Sequence, residues 1–552
     1  MKKRIISILL AAVLFVGIAA CATQETGTPP NDNANNTPDT PQDTATGDTT
    51  TPPTDGASGD RMEISLMNWG IADAFPEGME SDEMRMYIED RFDVTFVPFN
   101  VTWGDADELT SLWASAGTLP DIIGAQAIEG SPVYFQWISD GVIRPIPSDL
   151  SAYPNVQNFV NQPDVRAFDV DGQTYMLPRQ TYTDSSWWVM ARGILNRKDW
   201  RESLGYSLPT TEQEFIDLCL AYVNNNPDGV ANTQGLRPAG TWILPSQCFV
   251  GYGYTDAVWV KNSNGDVVIP TFESSTLPLY SFLRRLNKAG GLDEDYVTGK
   301  DIDDVDKFVS GGAGMLAKQL NPAMLDDIQR RWSAAQPGKE FTDHVEIIHP
   351  PVISGVDPVG FAEKGYWSQS FINANVDDAK MARILEVFDF FYSDEGLKLV
   401  NFGFEGRDWE MDGGQVKMLT DINPDTGAPK AAADLYPFAN IGSVFCWAAD
   451  MVQYDNPTIS QSIRDMATTE RDYRIANWRQ APIDWRITAI DVPERAFMGS
   501  IMPPADQWAP FVFDTSDRTD DDLFAEMVSN WEANGYRAAK EAMTAAARDL
   551  GY

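Results

Sequence analysis

Apolar and polar residues alternate from Met62 to Trp69 (Met-Glu-Ile-Ser-Leu-Met-Asn-Trp), a period of two that predicts a strand. A helix is expected from Glu80 to Phe92, a second strand from Val94 to Phe99 and a helix from Asp107 to Ala116. Leu119-Pro120-Asp121-Ile122-Ile123 reads as a short buried strand. Strand, helix, strand, helix, strand in so short a stretch implies a parallel α/β sheet with right-handed crossovers. Further on, Asp171-Gly172 is a turn that enters a strand through Thr174-Tyr175-Met176-Leu177-Pro178, and Leu195 to Trp200 opens a helix. Thr211 and Glu214 have capping-box spacing. Phe215, Leu218, Cys219 and Tyr222 then form one helical face at i, i+3, i+4, i+7, which places Cys219 in the core. Val258–Lys261 and Asp266–Ile269 flank an Asn-Gly turn and predict a hairpin. Ala379 to Tyr392 is a strongly amphipathic helix, and the last forty residues are helical, ending with Trp531 to Leu550.

The longest apolar run, Ile5 to Ala20, sits behind Lys2-Lys3-Arg4 and ends Gly17-Ile18-Ala19-Ala20-Cys21. Its length and basic flank are those of a signal peptide. Small residues before a cysteine resemble the lipobox of bacterial lipoproteins, which implies a lipidated Cys21 and removal of residues 1–20. The alternative is an ordinary secreted protein cut after Ala20. Residues Ala22 to Asp60 carry no aromatic residue and no Lys or Arg. Such a segment cannot offset its ordering entropy by apolar burial, so residues 21–60 read as a lipidated start and a disordered spacer. The expected place is the extracellular face of the cytoplasmic membrane, with membrane contact through the anchor only.

Arg61 to Tyr552 is too long for one core and suggests two large lobes or three domains. The chain carries a net charge of −40, of which −36 falls beyond the leader and spacer. That balance argues against a nucleic-acid partner and weakly favours a neutral ligand over a polyanion. Three cysteines remain besides Cys21: Cys219, Cys248 and Cys446. They form either one disulfide and a thiol or three buried thiols. The two histidines, His344 and His349, bracket Val345-Glu346-Ile347-Ile348 and fall on opposite faces of a strand. No HExxH, GxSxG or Walker motif occurs, so zinc-protease, serine-hydrolase and nucleotide chemistry have no support.

Several segments, in chain order, resemble the family 1, sugar-type extracellular solute-binding proteins of ABC transporters, in their large Gram-positive lipoprotein branch. Leu119-Pro120-Asp121-Ile122-Ile123 resembles the family's LPDII strand, and Asp171 to Arg179 its DGKIYGLPR segment. Asn196-Arg197-Lys198-Asp199-Trp200 and Pro209-Thr210-Thr211-Glu212-Gln213-Glu214-Phe215 are similar to RKDW and PTTLDEF. Phe391 to Gly396 and Gly403-Phe404-Glu405-Gly406 are similar to YLYSDEG and GIEG. The resemblance implies an α/β, periplasmic-binding-protein-like type II fold, with two lobes joined by a hinge and a ligand cleft between them. The first lobe is placed at 61–185 plus 345–400, the second at 186–344 plus 401–552. It also implies a non-enzymatic, monomeric receptor without cofactors, which captures a carbohydrate by hinge closure and hands it to ABC permease transmembrane subunits. A peptide receptor, or a surface glycan-binding or sensory lipoprotein without transport, are the alternatives. One departure stands out. Relatives often carry a calcium loop after the PTT helix, but Asn226 to Leu236 is shorter and offers one carboxylate, Asp228. Calcium takes about six to eight oxygen ligands, so no metal is expected here. Asp301-Ile302-Asp303-Asp304-Val305-Asp306 reads as a charged helix start.

A sugar presents apolar C–H faces and a polar edge, so its site needs aromatic platforms and planar hydrogen-bonding groups. Asn68 and Trp69 end the first strand, where ligands of parallel sheets bind. Gln126 and Glu129 follow the LPDII strand in the equivalent loop. Arg179 closes the crossing segment, with Trp187 and Trp188 soon after; adjacent residues of a strand face opposite ways, so one is core and the other a platform. Trp367 precedes the return strand. The resemblance adds Trp242 and Trp447 as second-lobe aromatics, and Glu405 as a ligand contact or a brace of the hinge. For each tryptophan a core position is the competing expectation.

Overall fold

The computed structural model describes residues 61–552 except 79–80, 103, 239–257, 294, 296–300, 352, 354–358, 425 and 501–504. The expected leader, Cys21 and spacer, and with them Trp242 and Cys248, lie outside the described residues. Two sheets organise the chain. Strands β1 (Met62–Trp69), β2 (Val94–Val101), β3 (Ile122–Gln126) and β4 (Met176–Gln180) belong to the first. β5 (Gly193–Arg197), β6 (Gln234–Pro238), β7 (Ala313–Lys318) and β8 (Val345–Ile348) form the second. β9 (Tyr366–Ile372) returns to the first, giving the orders β2-β1-β3-β9-β4 and β8-β5-β7-β6. β1 pairs parallel with both β2 and β3, as the strand–helix alternation predicts. β9 runs antiparallel between β3 and β4, so its amino end meets the carboxyl ends of β1, β3 and β4.

Each sheet has its own core. Ile64, Leu66, Phe96 and Ile122 meet Ile384 and Phe388 of the amphipathic helix Asp378–Phe391 on one face of the first sheet. Met67, Ile123, Tyr134 and Phe371 cover its other face. The second core holds Leu195, Leu236 and Met315 with Phe215, Leu218, Cys219 and Tyr222, the face predicted for the helix Glu212–Asn225. That helix starts with the expected Thr211–Glu214 capping box. It lies close on the sheet because glycines face it: a Cβ on Gly314 would sit 2.0 Å from the Tyr222 ring, and one on Gly235 would sit 2.7 Å from Cys219 Cβ. Cys219 and Cys446 are buried free thiols in different cores.

Core membership departs from the expected lobe boundaries in two places. β8 pairs with β5, so Val345–Ile348 belongs with the second sheet. Val444, Phe445 and Cys446 pack with the first sheet rather than the second, because Phe445 stacks on Phe391 and lies edge-on to Phe388. The chain therefore changes core three times: after β4, before β9, and through the helix Ala448–Val452, which has Met451 in the first core and Tyr454 beyond it in the second. His344 ends a short helix and bonds Glu340 O at 2.8 Å, so the two histidines do not share a strand. His349 lies beyond β8, with Nε2 2.8 Å from Glu470.

Candidate functional site

The three crossings carry a belt of aromatic rings between the cores. Trp69, the last residue of β1, lies 5.2 Å from Trp367, which lies 5.9 Å from Trp447 (centroid distances). Trp367 reaches this position through a bulge. Tyr366 pairs with Gln180 and Ser368 with Arg179, so Trp367 is the extra residue of β9. Such an insertion re-aims a side chain at a sheet end. Trp447 is held from the third crossing by its N–H on Gln180 O at 2.9 Å. On the second-core side, Tyr182 lies 6.1 Å from Trp187, whose ring stands edge-on to Tyr454 at 4.7 Å.

Arg179 sits beneath this belt with no exposed surface. Its Nε donates to Ser443 O at 3.0 Å and Nη1 to Ser368 Oγ at 2.7 Å, while Nη2 also reaches Ser443 O. Its guanidinium lies 4.3 Å from the Trp447 ring centroid and 5.6 Å from that of Trp69. No carboxylate pairs with it among the described residues. Desolvation lowers its pKa to about 9, which leaves it cationic at neutral pH. Cation–π contact and three crossings held on one side chain make Arg179 a clamp. Arg179→Lys should cost about 1–2 kcal/mol of fold stability, because an ammonium cannot serve both acceptors and stack as well. Urea unfolding measures this, and an unchanged midpoint would reduce the clamp to a bare charge.

Asn68 is buried beside Arg179 and donates from Nδ2 to Ser443 Oγ at 3.2 Å. Its Oδ1, Gln180 Oε1, Trp447 Nε1 and Tyr454 Oη are buried without a hydrogen-bond partner. Buried polar atoms are nearly always paired, so these four, close to the indole rings, are atoms that a polar ligand could satisfy. Beside it, a concavity of about 750 Å³ is lined by Gln180, Tyr182, Glu363 and Trp485 among others. Another, of about 590 Å³, lies under Arg144, Tyr153 and Asp378 and shares no residue with the belt.

The remaining expected residues divide. Glu129 is held by Lys364 Nζ at 2.9 Å, and Lys364 also pairs with Glu363 at 2.8 Å and covers Trp485. Desolvation pulls the Lys364 pKa down, but Glu129 and Glu363 outweigh it and raise the value. Glu129 thus enters the site's wall as half of an ion pair. Gln126 ends β3 opposite Gln369 by its backbone; its side chain is outside the described part. Trp187 and Trp188 are not in a strand but in the 3-10 turn Ser185–Met190. Trp188 is core, 4% exposed, with Nε1 donating to Lys364 O at 2.5 Å. Trp187 keeps a partly open face. Glu405 is exposed in the turn after Phe402, a loop that packs through Phe404 on Tyr87 and Tyr436, and so it does not join the belt. Sequence reasoning missed Tyr182, Ser443, Asp450 and Tyr454. Asp450 and Tyr454 lie at i+3 and i+7 from Trp447, a usable signal once that stretch is taken as helical.

The Asn226–Leu236 loop closes on itself. Asn226 Oδ1 accepts from Thr233 Oγ1 at 2.8 Å, and Asn226 Nδ2 donates to Val230 O at 2.9 Å. Its carboxylate, Asp228, pairs with the buried Arg197 Nη1 at 2.9 Å, so a fixed cation already neutralises it and the loop does not fit calcium. Among the described residues no group of three His, Cys, Asp or Glu could hold a metal ion. Calcium or a chelator should move the unfolding midpoint by less than about 1 °C, since a metal that does not bind the native state adds no linkage. A shift of several degrees would contradict this account.

No protein-family model matches the chain. It is 24% identical over 421 residues, 72% of its length and 79% of the relative's, to the polygalacturonan/rhamnogalacturonan-binding protein YtcQ of Bacillus subtilis (strain 168). Its fold matches the crystal structure of the alginate-binding protein AlgQ2 without calcium ion, with a TM-score of 0.69 at 16% identity, over 89% of this chain and 98% of that one. It matches the S. pneumoniae ABC-transporter substrate-binding protein FusA in complex with kestose, with a TM-score of 0.64 at 16% identity, over 89% and 99%. With two α/β sheets and three crossings, the chain has the fold of these solute-binding proteins and is similar in sequence to the Bacillus subtilis relative over most of its length.

Proposed function

We propose that this protein is the receptor of an ABC importer for an oligosaccharide, tethered outside the cell through Cys21 and delivering its ligand to the permease subunits. The observation that carries the reading is the Trp69–Trp367–Trp447 belt, interleaved with unpaired buried polar atoms and placed where the chain crosses between two cores. Indole faces take the C–H faces of sugar rings, and the orphan donors and acceptors take their hydroxyls. The relatives' named ligands, polygalacturonan/rhamnogalacturonan, alginate and kestose, are all carbohydrates, which supports the class. Two cores joined by short crossings suit hinge closure, in which ligand touches both sides only when they approach. The apolar run behind Lys2-Lys3-Arg4 and the small residues before Cys21 support the anchor.

Thermal unfolding against a panel of neutral oligosaccharides, oligouronates and peptides tests the reading. Ligand at about 100 times its dissociation constant should stabilise the protein by about 2.7 kcal/mol. A shift with a glycan class supports the receptor and names its substrate. A shift with peptides alone sinks the carbohydrate reading.

A further inference from the structure

Trp447, Asp450 and Tyr454 are spaced i, i+3, i+7 along the third crossing. The backbone there is helical: Met451 N bonds Trp447 O at 3.0 Å, and Asp455 N bonds Val452 O at 3.1 Å. Trp447 caps this short helix, Asp450 lies within it and Tyr454 follows in the next turn, close enough for the Asp450 charge to act on the phenol. Trp447 Nε1 and Tyr454 Oη are buried donors without partners. The Asp450 carboxylate, partly exposed, makes no ion pair or hydrogen bond among the described residues; only the backbone carbonyl of Asp450 is used, by Gln453 Nε2 at 2.9 Å. Trp187 and Trp367 supply ring walls on either side, edge-on to Tyr454 and tilted on Trp447.

We infer that Asp450, with Tyr454 Oη and Trp447 Nε1, forms a subsite for the adjacent hydroxyls of an uncharged sugar unit. A carboxylate accepts from two O–H groups at once, while the phenol and indole donate to the sugar's oxygens. A uronate placed here would set its charge against Asp450 with no cation between them. The subsite rests on the oligosaccharide-receptor reading above and adds the chemistry of one unit of that ligand.

The groups facing Asp450 leave its charge uncompensated. Tyr182 comes from the first crossing, its hydroxyl accepting from Asn321 Nδ2 at 3.3 Å; Tyr454 comes from the turn that follows Asp450's helix. Arg471 and Arg474, from the helix Gln461–Asn477, reach Tyr454 but are paired with Asp472 at 2.9 Å and Glu470 at 2.5 Å. Desolvation accordingly pushes Asp450's pKa up to about 7. The folded state then holds a proton that the unfolded chain releases. The free protein should gain stability as pH falls through 7 toward the ordinary carboxylate range. Affinity should move the other way, because the protonated acid is a poorer acceptor.

The test is titration calorimetry of wild type, Asp450→Asn and Tyr454→Phe at pH 6 and 8, with kestose, a mannose-rich N-glycan and a galacturonate oligomer as probes. Wild type should bind a neutral probe more tightly at pH 8. Asp450→Asn should lose at least about tenfold at pH 8 and show the same affinity at both pH values, with an unfolding midpoint no lower than wild type. Tyr454→Phe should lose several-fold at both pH values. An Asp450→Asn affinity equal to wild type with the pH difference intact overturns the subsite and leaves the receptor reading standing. So does binding confined to galacturonate and strengthened in Asp450→Asn. A wild type that binds no glycan removes the receptor reading, and the subsite with it.

Discussion

Trp367→Ala should weaken capture of the oligosaccharide by about 2–4 kcal/mol, roughly 30- to 1,000-fold. The residue is the centre of the belt, in ring contact with Trp69 on one side and Trp447 on the other. It is also the bulged residue of β9, so no ladder position depends on its side chain. Removing it takes away a platform and loosens both neighbours, whereas loss of Trp69 or Trp447 would spare one ring pair. Trp367→Phe keeps a ring at the same place and should recover about half of the lost binding energy. Calorimetry with whichever glycan the unfolding panel selects gives the answer. Unchanged affinity in the alanine variant, with an intact fold by circular dichroism, would move the ligand away from the belt.

Arg237→Ala should cost about 3–5 kcal/mol of fold stability, enough to halve the reserve of an ordinary domain. Arg237, on β6, is 4% exposed. Its Nε donates to Asp304 Oδ1 at 2.8 Å, and its Nη1 lies 2.7 Å from Asp293 Oδ2. Asp293 keeps a second cation, Lys307 Nζ at 2.5 Å, but Asp304 is wholly buried and would lose its guanidinium. The cost comes from removing a cation beside that buried carboxylate rather than from losing a favourable pair. The double variant Arg237→Ala/Asp304→Asn should therefore be more stable than Arg237→Ala alone, a sign reversal that urea unfolding resolves. A double variant less stable than the single one would show that the Asp304 charge is not the source of the cost. Ligand affinity should stay unchanged in any variant that still folds, since this cluster belongs to the second core and not to the crossings.

Composition and periodicity carried much of the architecture. The parallel β2-β1-β3 arrangement follows from strands and helices that alternate within a short stretch, and the Thr211 cap and its apolar face are local patterns that sequence spells directly. Backbone hydrogen bonding and one-sided burial act over a few residues, so their signals are readable in order along the chain. The same holds for Trp69, placed at a strand end that the alternation predicts.

Other features depend on distant segments meeting. Nothing in the local pattern assigns residues 438–448 to the first core; the Phe391–Phe445 stack does, over more than fifty positions. Trp188 and Trp187 look alike in sequence, and only the 3-10 turn and the Lys364 carbonyl separate core from platform. Glu405 shares a motif with relatives, yet its loop packs on Tyr87 and Tyr436 and leaves it in solvent. By itself, then, the sequence determined the parallel strands of the first sheet, the capped helix and a supply of indole rings at strand ends. Tertiary structure alone decided which rings converge, because a site between two cores is built where three crossings meet, and that meeting is set by long-range packing rather than by neighbours in the chain.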